Sequence, residues 1–500
     1  MKNKKSNNTN KIVYFLLILV FTCLLYQQKS GLNMFVISLL SIAYLSYSSK
    51  TIKNKNWWIS ALLWIGSGLS LFLSHTYLGG LLFFFTAFNF ISVNYNSNYS
   101  FPFSISHTFF SFLLGIERIL TPNKKSTQII EPDDKNTSYK YLKPIFMYGT
   151  PLILVIVFLK LYQLANPKFE EYTQFLSLEF IEWPFIAFYA ALSFLLYGFY
   201  LYNTYKASEE WDFSNKNSIN SDYTDSFQNN IGTETEQKMA SILLITLNIL
   251  IVAFLCIDGI TLFSTNIDSE LSHSQTVHQG INVLVVSILL VILIVGFMYR
   301  GSLNFIKNKT NIYLTISWLF LNIIMTVFNS LKNYNYINEW GLTHKRIGVF
   351  IYLGLCIIGL TLTLYKVLKT KSFVFLIRRV SYSFVSLLVV YSIINWNHII
   401  VSYNLNDTNF TEQKIDLHYN YSLGYSTYPE VIAFLKNHPK ADENLLKKLD
   451  YKIIYIKNNI KPDWKDMPSL KWFDYRARQK FENYKPLLNN DYKERSTWND

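Results

Sequence analysis

Asp258 is the residue whose type and setting most invite chemistry. It stands inside an apolar run, residues 240–263, with Gly259 after it. A carboxylate at the centre of a membrane helix costs about 2.5–3.5 kcal/mol to insert, while each Leu or Ile returns only about 0.3–0.6. Such groups face a bundle interior or a water-filled cavity. Asp258 therefore reads either as an ion, proton or substrate site or as an interfacial carboxylate just inside a membrane boundary. Asn166-Pro167 ends another apolar run, where Pro terminates a helix and Asn caps it. Glu170, Glu171, Glu179 and Glu182 follow, interleaved with Phe175, Leu176, Leu178 and Phe180. That stretch suits either an acidic vestibule or a solvated loop. In Gly341-Leu342-Thr343, Thr343 can N-cap a helix and Gly341 permits a tight entry. Arg346 is then placed to bind a phosphate or carboxylate, to pair with Glu339, or to anchor in headgroups. Asn248 and Asn322, each within an apolar run, suit interhelical hydrogen bonds.

Most enzymatic chemistries have no foothold. The chain has no Walker A loop, GxSxG elbow, HExxH or DxD pair. His273 and His278 lie in one loop with no convincing third metal ligand. Cys23, Cys256 and Cys356 all sit in apolar runs, where free thiols behave as small hydrophobes. No catalytic residue, metal site or cofactor is expected, and ATP-driven transport and zinc proteolysis are disfavoured.

The elements that would carry these residues are membrane helices. Of the 500 residues, 50% are hydrophobic, 17% aromatic and only 16% charged, against about 25% charged in soluble proteins. About eleven apolar segments recur: 12–26, 32–47, 57–74, 77–93, 144–165, 184–205, 240–263, 281–299, 312–331, 347–367 and 380–401. About 20 residues at 1.5 Å rise match a hydrocarbon core about 30 Å thick, and only helices satisfy their backbone there. The fold class is all-α, a polytopic transmembrane bundle with a small C-terminal helical region.

Lys and Arg positions orient the spans. Lys2, Lys4, Lys5 and Lys11 precede the first run, and Gln27-Gln28-Lys29 follows it without a small-x-small cleavage site. An uncleaved first helix with a cytoplasmic N-terminus is expected. That choice puts Lys50, Lys53, Lys55, Lys124, Lys125, Lys140, Lys143, Arg300, Lys307, Lys309, Lys366, Lys369, Lys371, Arg378 and Arg379 on the cytoplasmic side. Residues 74–77 and 264–279, opposite, carry no Lys or Arg. The loop 332–346 runs against the pattern with Lys332, Lys345 and Arg346. The formal charge of +13 reflects lysines beside anionic headgroups, and no nucleic-acid partner is expected. Arg378 and Arg379 are expected to snorkel to headgroups.

Two stretches are not spans. Residues 101–120 place Ile105, Phe109, Phe112, Leu113, Ile116 and Leu120 at helical spacing, suiting an amphipathic helix in the cytoplasmic interface. Residues 206–238 are rich in Asn, Ser, Asp and Glu and read as a flexible cytoplasmic loop. The chain turns soluble from Asn406, and Thr427-Tyr428-Pro429-Glu430 reads as a capping box with Pro in the first turn. Three amphipathic helices follow, on Val431, Phe434 and Leu435; on Leu445, Leu449, Ile453, Ile456 and Ile460; and on Leu470, Phe473, Ala477, Phe481 and Tyr484. They can form a small core and pack on the outer face of the spans.

Several short motifs occur in a fixed order: Ala165-Asn166-Pro167, Leu321-Asn322, Trp340-Gly341-Leu342-Thr343…Arg346, Asn395-Trp396-Asn397, Tyr403-Asn404, Asp416-Leu417-His418-Tyr419 and Trp472…Tyr475-Arg476-Ala477-Arg478. In this order they resemble a bacterial family of multi-pass membrane proteins known as a domain of unknown function of the 4153/4173 type. Trp340 stands where the family usually has Tyr. The resemblance runs from about residue 144 to 485, and the first four spans carry no matched motif. It implies an integral bacterial membrane protein and no established activity.

The organisation expected is a four-span region (1–100), a cytoplasmic helix and loop (101–143), a seven-span core (144–404) and an extracytoplasmic tail (405–500). The function expected is a non-enzymatic envelope carrier or an assembly and sensing protein. Its partners would be the lipid bilayer and another envelope protein on the tail. The alternative is a membrane-embedded transferase acting on a lipid-linked substrate, with Asp258, Glu182 and Arg346 converging at the outer face.

Overall fold

A backbone surrounded by lipid can bond only to itself, so each long apolar run closes into a helix. A computed structural model of the chain describes residues 2–48, 54–74, 76–120, 183–200, 206–219, 232–263, 273–305, 309–406, 416–438, 442–459, 464–482 and 484–485. Among them there is no strand. The helices are α1 (Lys2–Leu25), α2 (Leu32–Ser48), α3 (Lys55–Leu73), α4 (Tyr77–Tyr95), α5 (Phe101–Leu120), α6 (Trp183–Tyr200), α7 (Lys206–Ser214), α8 (Thr233–Phe263), α9 (His273–Met298), α10 (Thr310–Trp340), α11 (His344–Leu368), α12 (Phe373–Ile393), α13 (Trp396–Asn404), α14 (Leu417–Ser422), α15 (Tyr428–Asn437), α16 (Glu443–Asn459) and α17 (Trp472–Glu482).

Six of these, α3, α4, α8, α10, α11 and α12, are long and apolar enough to cross a membrane, and shorter apolar stretches lie in α1, α2, α6 and α9. The chain is a multi-pass α-helical membrane protein. The span expected at 144–165 lies outside the described residues. The last span is shorter than its hydropathy suggests. It runs only to Ile393, and Asn395 restarts the chain as α13 by accepting from His398 N. His273 and His278 fall within α9 rather than in a loop.

The chain divides into two compact units, residues 1–26 with 111–203, and residues 27–110 with 204–500. In the first, α1 packs on α6: Tyr14 Oη donates to the Ser193 carbonyl at 2.6 Å, and Phe21 meets Tyr200 edge-on. The C-terminal half of α5 crosses α6 at two glycines, where a Cβ on Gly115 would lie 2.3 Å from Gly198 Cα.

The second unit holds two helix groups, each with an apolar core crossed by buried polar contacts. In one, α2, α3 and α4 run antiparallel and α12 lies on α3. Asn89 Nδ2 donates to Ser60 Oγ at 2.8 Å and its Oδ1 accepts from Ser104 Oγ at 2.9 Å, so α3, α4 and α5 share one buried amide. In the other, α8 and α10 run parallel, as Ser241–Asn311, Asn248–Leu314 and Asp258–Lys332 contacts require, with α9 and α11 packed beside them. On α8, Ile242, Ile249, Leu250 and Ile257 are exposed, while on α5 Ser104, His107 and Thr108 are buried and Phe109 faces out. Exposed apolar side chains on α8 suit a helix whose solvent is hydrocarbon, with its few charged groups turned inward.

The tail's own core joins Val401 of α13 to Tyr428, Val431, Ile432 and Leu435 of α15, to Leu445, Leu449, Ile453 and Ile456 of α16, and to Ala477 and Phe481 of α17. These are largely the positions that helical spacing picks out. The capping box does not form. Thr427 makes no side-chain cap and donates its Oγ1 to the Gly424 carbonyl, while Glu430 accepts from Lys480 at 2.9 Å. A tertiary ion pair has taken the carboxylate a capping box would use.

Close packing of α2 on α3 makes a prediction. A Cβ on Gly68 would lie 2.9 Å from Ser38 Oγ and 3.1 Å from Phe35 Cα, whereas one on Gly80 meets nothing within 4 Å among the described residues. Gly68→Leu should lose about 1–3 kcal/mol through overpacking, read as a lower thermal midpoint in detergent, and Gly80→Leu should leave that midpoint unchanged.

Candidate functional site

The motif segments 333–346, 395–404 and 416–420 meet at one junction. At its centre α10 ends on Gly341, whose φ of 78° lies in the left-handed region and whose N–H returns to the Ile337 carbonyl at 2.8 Å. The final carbonyls of a helix lack partners and carry partial negative charge. Arg346 supplies both remedies. Its Nη1 donates to the Trp340 carbonyl at 2.7 Å and to the Gly341 carbonyl, and its guanidinium lies 4.0 Å over the Tyr336 ring. Thr343 starts α11, its Oγ1 accepting from Arg346 N at 3.4 Å.

Asn404, the last residue of α13, clasps the turn. Its Oδ1 accepts from Leu342 N at 2.6 Å, and its Nδ2 donates to the Leu342 carbonyl at 2.9 Å and to Asn420 Oδ1 at 3.2 Å. Only glycine fits opposite it, since a Cβ on Gly341 would sit 2.8 Å from Asn404 Oδ1. His344 Nε2 donates to Asn397 Oδ1 at 2.6 Å, and the His344 N–H donates to Tyr419 Oη at 3.1 Å. Asn333 Nδ2 donates to the Arg346 carbonyl at 3.1 Å, and Asn397 Nδ2 to the Leu423 carbonyl at 2.7 Å. Helices α10, α11 and α13 and the start of the tail are thus tied by side chains that read, in sequence, as unrelated motifs.

The other candidate residues fall into separate settings. Asp258 is buried and its Oδ1 is ion-paired with Lys332 Nζ across α8 and α10. Glu339 is exposed and forms no ion pair among the described residues, so Arg346 serves carbonyls rather than Glu339. Asn322 is buried, with Nδ2 donating to the Trp318 carbonyl of its own helix at 2.8 Å. Asn248 Nδ2 reaches across to the Leu314 carbonyl at 3.0 Å. Asn166 and Glu182, with Glu170, Glu171 and Glu179, lie outside the described residues. The cations that break the loop-charge pattern are mostly committed: Lys332 to Asp258, Arg346 to helix-end carbonyls, with Lys345 alone exposed.

A second polar cluster escaped the sequence reading. Asp212, in the stretch expected to be a flexible loop, is on α7 with its side chain 1% exposed. Ser100 Oγ and Arg378 Nη2 donate to its Oδ1 at 2.6 and 2.7 Å, Ser100 N donates to Oδ2 at 3.1 Å, and His107 Nε2 lies 3.5 Å from Oδ2. Burial alone would raise the Asp212 carboxyl, but the nearby His107 ring and hydrogen bonds from Ser100 and Arg378 outweigh it and hold the group below the ordinary carboxylate range. Its contribution to stability is therefore present above the usual carboxylate pKa and lost as pH falls through the lowered one. Ser208 Oγ lies 2.7 Å from His107 Nδ1. Serine, histidine and aspartate are aligned, yet the carboxylate also serves Ser100 and Arg378. The set anchors α7 to α5 and α12. Arg378 does not snorkel outward; Asp212 holds it in. The one available signal was Trp211-Asp212-Phe213, two aromatics within a polar stretch. Lys366, counted among cytoplasmic cations, is likewise fully buried and donates to the Tyr299 carbonyl at 2.8 Å.

A family model described as Domain of unknown function (DUF4153) matches residues 14–434, most of the chain. The match reaches back through α4, α3 and α2 into α1, which carry none of the family-like motifs, and ends within α15, before the last two helices of the tail. Neither the curated proteins nor the solved structures include a significant match.

The Asp258–Lys332 pair makes a prediction. Lys332→Met removes the cation from a buried carboxylate and should cost about 3–5 kcal/mol, measured as thermal unfolding in detergent. The double variant Lys332→Met/Asp258→Leu should recover most of that loss. A proton or ion site at Asp258 would instead leave the single variant folded and alter ion-dependent unfolding.

Proposed function

The chain belongs to that family of unknown function and is a multi-pass membrane protein, and from this premise we propose that it is a non-enzymatic assembly or sensing module of a bacterial cell envelope. The observation that carries the reading is the Asn404 clasp. It couples the tail's core, through Val401 and Asn404 of α13, to the ends of α10 and α11. A partner bound to the tail would thereby act on the spans through hydrogen-bonded contacts rather than a loose linker. Loop charges support a cytoplasmic N-terminus and an extracytoplasmic tail, where an envelope partner would meet it.

The transferase reading has less support. Asp258 is committed to Lys332 and Arg346 to helix-end carbonyls, so neither is offered to a lipid-linked substrate. A carrier would need a binding site near the membrane midplane between repeated helix groups, and the sequence has no clear internal repeat.

The test is deletion in the native host, with complementation by the wild type and by Asn404→Leu. Envelope lipids and glycans should remain unchanged in the deletion, and the wild-type chain should migrate on native gels in a complex larger than itself that Asn404→Leu fails to form. A lipid-linked intermediate that accumulates in the deletion, and is cleared by the wild type but not by Asp258→Asn, would overturn the proposal in favour of the transferase. In the purified chain, Asn404→Leu and Gly341→Ala should each increase protease cleavage between α13 and α15, the second because it strains a left-handed backbone by about 1–3 kcal/mol.

A further inference from the structure

At the end of the second unit that carries Arg378, a groove of about 330 Å³ opens between the starts of α3 and α12, the turn before α5 and the residues after α7. Its lining brings Lys216, Arg378 and Arg379 together with a single acid, Asp212, so three cations less one carboxylate leave two positive charges. Asp212 is already committed, to Ser100 and Arg378. Its effect is to hold the Arg378 guanidinium in place, with Nη1 donating to Asn217 Oδ1 at 2.6 Å and Nη2 to the Asp212 carbonyl at 2.6 Å. Its Nε is buried and has no hydrogen-bond partner among the described residues, and Nη1, with one of its two N–H groups engaged, keeps a further donor. Arg379 and Lys216 are exposed at the rim and form no ion pair among the described residues.

We propose that this groove binds a phosphate-bearing ligand, the phosphate seated between Arg379, Lys216 and the guanidinium of Arg378. A guanidinium fixed by a buried carboxylate is pre-organised, so little entropy is lost when it meets an anion. Guanidinium forks match phosphate oxygens in pairs, and the rim lysine adds a point charge. Asn56 and Asn98, also in the lining, bring amides to the same groove. The volume is at the lower end of the range for small-molecule sites, about 300–1,000 Å³. A headgroup of an anionic lipid and a phosphorylated solute present the same chemistry here. The groove lies at the ends of apolar helices, within reach of both.

The experiment uses the full chain in phosphatidylcholine nanodiscs. One arm titrates inorganic phosphate and pyrophosphate by calorimetry. The other replaces phosphatidylcholine stepwise with phosphatidylglycerol and counts retained lipid by native mass spectrometry. The double variant Lys216→Gln/Arg379→Gln should bind the active probe about tenfold more weakly, the loss expected for charge-assisted hydrogen bonds. Arg379→Lys should keep part of the affinity. Asn98→Trp fills the groove without removing charge and should weaken binding as well, which decides the matter if the double variant fails to fold. Binding of phosphatidylglycerol alone identifies a headgroup site, binding of phosphate or pyrophosphate alone a solute site, and binding of both the shared chemistry. The proposal is overturned if the wild type binds neither probe, or if the folded variants bind both as the wild type does.

Discussion

Hydrocarbon offers no hydrogen bonds, and the arrangement of this protein follows from that constraint. Every polar group carried into the bundle must find its partner within the chain. Trp57 Nε1 donates to Asn94 Oδ1 at 2.9 Å, Asn94 Nδ2 to the Leu45 carbonyl at 3.0 Å, and Ser70 Oγ to the Ser392 carbonyl at 3.0 Å. Each of these bonds joins two helices. Such a contact contributes only about 0.6–2 kcal/mol, but it selects one rotation of each helix among the many that would bury equal apolar area. The charged groups obey the same rule. Asp258 with Lys332, Glu236 with Arg300, and Asp212 with Arg378 each join two elements.

The constraint is sharpest at helix ends, where carbonyls lose their intrahelical partners. Arg346 and Lys366 answer it in the same way at opposite ends of α11. One donates to the last carbonyls of α10, the other to the carbonyl of Tyr299, just past α9. A cation in these positions satisfies orphan acceptors and opposes the helix dipole together. Each cation's place is accounted for by the carbonyls it serves, which is how a residue type chosen for capping can be mistaken for a binding group.

The junction of spans and tail extends that logic into function. Asn404 pairs with both the N–H and the carbonyl of Leu342, as a neighbouring strand would. A short helix, α13, carries this clasp on one residue and the tail's core on another. The tail is therefore mechanically continuous with α10 and α11. The opposite end of the same unit is different in character, holding a cationic groove around a carboxylate that is already neutralised.

Much of this was legible in the residues themselves. Apolar run lengths determined the helices because a lipid solvent leaves the backbone no alternative. Helical spacing identified Val431, Leu435, Leu445, Leu449, Ile453, Ala477 and Phe481 as tail core because burial in a small helical domain follows one face. Thr343 and Gly341 announced a helix start and a tight turn, since those roles are local. Partnership was not legible. Nothing near Asp258 in sequence names Lys332, nothing near Arg346 names the carbonyl of Trp340, and Asp212 sat in a stretch too polar to suggest burial. These side chains meet across helices separated by tens of residues, and their charge alone cannot distinguish a free site from a satisfied one. Sequence determined which residues had to be helical and which polar groups would need partners. Only the tertiary structure decided who those partners are, because hydrogen bonds and ion pairs form between neighbours in space.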